Sequence, residues 1–469
     1  MRFPLSREIV AAGILLAALG SVAAPPARAD EPTLTLEQRI ERLEKLLAQT
    51  RAELEAVKAA PAADAARLAE IERQIEILSR EIEQLKLGEA AAPAAAVGAT
   101  PRGVGPAAAR VYGAKPGVSI GGYGEALYEN FAARDQSGAP SSAEDQVTLL
   151  RAVVYLGYKF DDHFLLNTET EFENAVVASD KKGEAEVEFA YIDYMRSPAI
   201  NARAGLVLIP LGLINQLHEP TTFLGARRPD VEQFIIPSTW RELGFGLYGA
   251  SGPVSYYAYM VNGLDAAGYT AEGIREGSQE GSQARARNWA FTGRLDYTGL
   301  PGLLAGASVF TGEAGQGQVT ASGQTVHAPT TVWDVHADWR SRGLWLRGLY
   351  AASRVGEADR VNELNGLSGM ESVGSRQNGW YLQAAFDVLS LRSASRAALY
   401  PFARYEAYDT QAEVPAGYER DGANDVEEWT LGIGFKPIDQ LILKADWQQR
   451  HNAARTGVNQ WNVALGYVF

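Results

Sequence analysis

Five histidines are the side chains best suited to proton transfer or metal ligation: His163, His218, His327, His336 and His451. None sits in a nucleophile motif, so no catalytic residue, cofactor or metal site is expected. His336 falls within a strand pattern, where a structural role fits better than catalysis. His163 follows a turn and His327 lies in a loop. The chain has no cysteine, which excludes disulfides and thiolate metal sites. The chemistry that remains is electrostatic. One long connection, 211–241, carries His218, Glu219, Arg227, Arg228, Asp230, Glu232 and Arg241. Basic groups gathered at a narrow aqueous passage favour anions, and low-dielectric walls concentrate their field. For each arginine the competing reading is a salt bridge to a nearby carboxylate.

The same connection is rich in apolar residues: Leu213, Ile214, Phe223, Phe234, Ile235, Ile236 and Trp240. A loop bathed in water would not be so apolar. One folded into a barrel and packed on its wall would be. The alternative is a loop packed between copies of the chain. On the first reading His218, Glu219, Arg227, Arg228 and Arg241 form the pore constriction.

A wall must position that loop. From Val118 to Phe469 the sequence runs through about sixteen strand-like segments with short and long connections in alternation. The segments fall near 118–132, 146–160, 163–175, 184–196, 200–210, 242–250, 253–263, 287–298, 302–313, 330–340, 343–354, 376–389, 397–409, 426–436, 440–451 and 459–469. Trp461, Val463, Leu465, Tyr467 and Phe469 alternate with Asn462, Ala464 and Gly466. Trp429, Leu431, Ile433 and Phe435 alternate with Glu428, Thr430, Gly432 and Gly434. Successive residues of a strand face opposite sides, so one face is apolar and the other polar or small. Aromatic residues end the apolar faces, where a lipid-facing band meets water: Tyr158, Phe160, Tyr297, Trp429, Trp461 and Tyr467. The pattern predicts an all-β domain, a 16-stranded antiparallel transmembrane β-barrel. The inward faces then carry the pore-lining charges Arg203, Arg294, Arg347, Arg404, Lys444, Arg450, Glu169 and Glu171, which a wet lumen tolerates and a dry core does not.

Ahead of the barrel, residues 1–29 read as a signal peptide. Arg2 and Arg7 precede a short apolar run, and Ala27-Arg28-Ala29 is a small-x-small cleavage site. The run is too short to span a bilayer, which takes about 20 apolar residues. Residues 34–87 repeat apolar positions in a 4-3 spacing. Ile40, Leu47, Leu54, Leu68, Ile75 and Ile82 occupy one seam position, and Leu36, Leu43, Val57, Ile71, Leu78 and Leu85 the other. This predicts an N-terminal α-helical coiled coil in the periplasm, interrupted near Pro61. Mixed Ile and Leu at both positions leans towards more than two strands, as in a homotrimer. Residues 88–117, rich in Ala, Pro and Gly, read as a linker, and 118–469 as the porin barrel. The whole chain carries a formal charge of −14, against any nucleic-acid partner.

The runs Gly212–Pro220 (GLINQLHEP), Arg227-Arg228-Pro229 and Ile236–Gly244 (IPSTWRELG) resemble the phosphate-selective porin O and P family. A coiled coil ahead of such a barrel resembles the trimeric, dicarboxylate-permeable porins related to it. The resemblance spans most of 118–469. It implies trimers of sixteen-stranded barrels in the bacterial outer membrane with an anion-favouring constriction. In the phosphate-selective members arginines and lysines line the channel, whereas the inward faces here mix both signs. The expected function is passive diffusion of small hydrophilic solutes, anions such as phosphate or carboxylates among them, through a porin embedded in outer-membrane lipid. The alternative is an envelope tether, in which the coiled coil contacts peptidoglycan and the barrel is a non-selective pore.

Overall fold

The computed structural model describes residues 42, 45–52, 102–178, 181–391 and 397–469. The signal peptide, most of the coiled-coil span and linker residues 88–101 lie outside the described residues. Residues 45–52 are helical, and the Thr50 hydroxyl donates to the Leu46 carbonyl at 2.9 Å.

Sixteen strands follow: β1 (Gly117–Phe131), β2 (Gln146–Lys159), β3 (Phe164–Glu173), β4 (Ala185–Ser197), β5 (Ile200–Leu208), β6 (Arg241–Ser251), β7 (Val254–Asn262), β8 (Trp289–Tyr297), β9 (Leu303–Glu313), β10 (Pro329–Ser341), β11 (Leu344–Val355), β12 (Arg376–Phe386), β13 (Ala398–Glu413), β14 (Asp425–Ile438), β15 (Leu441–Asn452) and β16 (Gln460–Val468). Each strand pairs antiparallel with its neighbours in sequence, and β16 pairs with β1, so the sheet closes. Closure leaves no edge, so backbone donors and acceptors satisfy one another along every seam. Every expected segment is a strand, with the largest shift at the end of β13, which runs on to Glu413.

The apolar faces point outward. Leu295, Ile433 and Trp461 are exposed, as are Phe245, Phe291, Leu431, Val463 and Leu465. The polar partners between them are buried on the inner side, among them Thr430, Asp446 and Asn462. Among the described residues no helix is long and apolar enough to cross a membrane.

One expectation fails at the N-terminal side of the barrel. The linker reading extends to Gly117, yet from Arg102 onward the chain is packed against the inner wall. Val104, Ala107, Ala108, Val111 and Tyr112 are buried, the last two in a one-turn helix, Arg110–Gly113. Small residues suit a confined space as well as they suit a flexible tether, so composition alone misleads here. Val111 fills the space above Gly157, where an added Cβ would meet its Cγ2 at 2.5 Å. Asn167 of β3 donates to the Ala108 carbonyl at 3.0 Å, and the Tyr112 hydroxyl donates to Asp193 of β4 at 2.6 Å.

Candidate functional site

The connection between β5 and β6, residues 209–240, does not project outward. Almost all of it is buried, and its partners are inward-facing side chains from around the barrel. The Gly212 amide donates to Asp334 of β10 at 3.0 Å. The amides of Leu213 and Ile214 donate to Glu232 at 2.7 Å each, and Tyr381 of β12 donates to the other oxygen of Glu232 at 2.6 Å. Glu406 of β13 accepts from the Val231 amide at 3.2 Å. The Phe234 ring stacks on Tyr408 with centroids 5.3 Å apart, and Trp240 packs on Phe310 at 4.5 Å. These contacts explain the mixed composition of the segment: its apolar side chains meet the wall, and its backbone takes the wall's polar groups.

Most of the basic residues expected to line a pore are engaged in holding this loop. Arg294 pairs with Asp296 at 2.7 Å and donates to the Gly212 carbonyl. Arg347 pairs with Asp338 at 2.7 Å and donates to the Thr222 carbonyl at 3.2 Å. Arg404 pairs with Glu406 at 2.9 Å and reaches the Leu224 carbonyl at 3.4 Å. Arg450 pairs with Asp230 and, at 3.2 Å, with Glu428. Lys444 lies 3.7 Å from Glu125 and 3.6 Å from the centre of the Phe223 ring. Arg203 forms a two-pronged pair with Asp193 at 2.7 and 2.9 Å and donates to the Arg102 carbonyl at 2.9 Å. The inward charges are thus tolerated by pairing and by donation to loop carbonyls, which is a different reason from the open water that the sequence suggests.

On the loop itself the five constriction residues separate. His218 is buried between Glu169 at 3.2 Å and Glu188 at 3.0 Å, with Nδ1 2.8 Å from the Asn215 carbonyl. Burial lowers its pKa, but the two carboxylates outweigh that and hold it at about 10, so the ring is protonated. Glu219 accepts from the amides of Ala107 and Ala108 at 2.8 and 3.2 Å. Burial pushes its carboxyl up to about 7 against the pull of those donors. It tethers the 102–113 segment. Arg241 pairs with Glu186 and, at 3.4 Å, with Glu280. Arg227 is partly exposed and pairs with Glu129. Arg228 differs from the rest. It is buried and its Nη1 meets the Ser238 hydroxyl, yet its Nε and Nη2 have no hydrogen-bond partner.

Arg228 lines a cavity of about 110 Å³ with Arg151, Arg227 and Arg275 on the basic side and Glu125 and Glu173 on the acidic side. Loop, wall and the 263–288 connection all contribute, so no single stretch of sequence contains the set. Arg275 escaped the sequence reading because its connection looks merely polar and Gly-rich. The arginine pairings had a readable signal: Arg294 and Asp296, like Arg404 and Glu406, are two apart in a strand and share a face. Of the remaining histidines, His336 bridges Asp334 at 2.6 Å and Asp296 at 2.9 Å, and His163 Nδ1 is 2.9 Å from the Met195 carbonyl.

A closed barrel of sixteen antiparallel strands with a long connection folded against its inner wall has the architecture of a porin. Among solved structures, OmpF of Salmonella typhi in complex with daunomycin matches with a TM-score of 0.50 at 11% identity, covering 75% of this chain and 97% of that one. An anion-selective porin from Comamonas acidovorans matches at 0.46 and 12% identity, over 75% and 99% of the two chains. The outer-membrane channel DcaP of Acinetobacter baumannii matches at 0.45 and 11%, over 75% and 97%. The first likeness shows the fold. No family model matches the chain. An uncharacterised protein of Aquifex aeolicus (strain VF5) is 37% identical over 376 residues, 78% of this chain and 83% of that one, and the chain belongs to the same family as that protein.

Proposed function

We propose that the protein is an outer-membrane porin for passive diffusion of small hydrophilic solutes, with a preference for anions set at Arg228. The observation that carries this reading is the lining of the 110 Å³ cavity. Four arginines face two glutamates there, and Arg228 alone among the loop's arginines has no carboxylate partner within reach among the described residues. A cation with no directly paired carboxylate, in a low-dielectric surround, attracts an anion far more strongly than one in bulk water. Arg151, Arg227 and Arg275 line the same cavity, each with a carboxylate partner of its own. Arg203, Arg241, Arg294, Arg347, Arg404, Lys444 and Arg450 shape the passage instead, because their charge is spent on neighbouring carboxylates. The local resemblance to phosphate-selective porins points to phosphate or carboxylates as the anions.

In this reading residues 1–29 direct export and are removed, 34–87 form a periplasmic coiled coil that joins three copies, and the remainder inserts in outer-membrane lipid. The heptad spacing of 34–87 also supports a tether role, in which that helix contacts peptidoglycan. Reversal potentials of the purified protein in planar bilayers, with phosphate and dicarboxylates as competing anions, test the channel reading. A cation preference would remove the anion claim. Deleting 34–87 and following conductance and envelope attachment separately tests the tether.

A further inference from the structure

We propose that the inner wall holds a divalent-cation site, with Glu171, Glu186 and Glu188 as its oxygen ligands and a hard ion such as Ca²⁺ as its occupant. One carboxylate oxygen from each of the three lies within 4.8 Å of the others. Oxygens on one Ca²⁺, each at about 2.3–2.6 Å, can be no more than about 5 Å apart, and the three fall within that span. Glu171 and Glu186 face each other directly across the β3–β4 ladder, an arrangement of like charges that ordinarily costs stability. Glu188 joins them through a backbone irregularity. Glu169 pairs with Phe189 and Thr170 with Val187, so Glu188 is the extra residue of a β-bulge. Glu188 and Phe189 are consequently both buried on the inner side. Regular alternation would not turn both inward, and bulges re-aim side chains in this way at functional sites.

Two further observations point to a missing cation. Glu171 is fully buried, and neither of its oxygens has a hydrogen-bond partner. Its nearest basic group is Arg151 Nε, at 3.9 Å. The ion-paired network around the three ligands is also short of positive charge. Arg151 bridges Glu125 and Glu171, Lys444 reaches Glu125, His218 bridges Glu169 and Glu188, and Arg241 bridges Glu186 and Glu280. Six carboxylates thus share four cations, a deficit of two charges that one divalent ion closes. Glu173 and Arg228 stand beside this network in the lumen, and among the described residues no salt bridge joins either of them to it. Burying unpaired carboxylates is costly unless a cation compensates them. Access exists through Glu186, whose side chain is 26% exposed. Arg241 retains Glu280 as a partner if Glu186 turns to the ion.

The test is calorimetric titration of CaCl₂ into the full chain, refolded in detergent from denatured material so that no lipopolysaccharide is carried over. The expected result is saturable binding of one Ca²⁺ per chain, weakened at least tenfold by Glu188→Gln and by Glu171→Gln and unchanged by Asp421→Asn in an outer loop. Heat-modified gel mobility confirms that each variant is folded. Glu186→Gln, at the exposed margin of the cluster, serves if the two buried variants fail that check. Absence of saturable binding by the wild-type chain up to millimolar Ca²⁺ would overturn the proposal, as would glutamine variants that bind like the wild type. The readout involves no transport, so it stands apart from the anion-channel reading.

Discussion

Replacing Arg228 with alanine removes one charge that no carboxylate pairs with directly, and the size of the effect follows from its surroundings. An anion about 4 Å from the guanidinium gains about 1 kcal/mol in bulk water and about 4 kcal/mol at an effective dielectric of 20. A cavity of about 110 Å³ admits only a few waters, so the lower figure is a floor. About 1 kcal/mol is about fivefold in the ratio of anion to cation permeability. Arg228→Ala is therefore expected to lower that ratio by at least about fivefold, seen as a reversal potential displaced towards the cation under a KCl gradient. Arg294→Ala is the comparison. It removes the same charge from a residue already bound to Asp296 and the Gly212 carbonyl, so selectivity should move little while current noise grows as the loop loosens. The reasoning is refuted if Arg228→Ala leaves the reversal potential in place, or if both variants shift it equally.

Three other outcomes are expected. Deleting residues 102–113 removes a segment anchored by Asn167, Asp193 and Glu219, so single-channel conductance should rise, with the strand content seen by circular dichroism unchanged. Glu406→Gln leaves Arg404, which is fully buried, without its carboxylate. Breaking one side of a buried pair costs about 3–5 kcal/mol, and urea unfolding in detergent should show a loss of that order. Leu431→Arg places a charge on the exposed apolar face of β14, where an arginine near the bilayer midplane costs about 2–4 kcal/mol. Refolding yield into phospholipid vesicles should fall.

The barrel was legible because its signal repeats. Each strand has outward residues that can be only apolar and inward residues that need not be, and the terminal run from Trp461 to Phe469 shows this without interruption. The folded-in loop was legible from one contradiction, a long connection too apolar for water. Other features carried no such mark. Nothing local separates Ala107 and Ala108 in a packed segment from the same residues in a tether. Their burial depends on Glu219, more than a hundred residues away. Glu188 would have been placed correctly by alternation from Glu186, but Phe189 would have been sent to the lipid. A one-residue bulge flips every side chain beyond it, and the sequence bears no glycine or proline there to announce it. For each wall arginine a salt bridge to a nearby carboxylate stood as the competing reading, and the structure pairs them so; for Arg294 and Arg404 the acid is two positions away on the same face.

The way the β5–β6 connection is held has a mechanical consequence. It is tied to β8 through Arg294, to β10 through Asp334, to β11 through Arg347, to β12 through Tyr381, to β13 through Arg404 and Glu406, to β15 through Asp446 and to β1 through Glu129. A thin-walled tube squeezed sideways by a bilayer flattens readily, whereas a wheel keeps its roundness because spokes in tension join rim to hub. Here the rim is the sheet, the spokes are side chains and the hub is a stretch of main chain. The bore of such an object depends less on how many staves make the rim than on the length of its spokes. Exchanging one of these side chains for a shorter homologue is then a way to retune the aperture while leaving the sheet itself untouched.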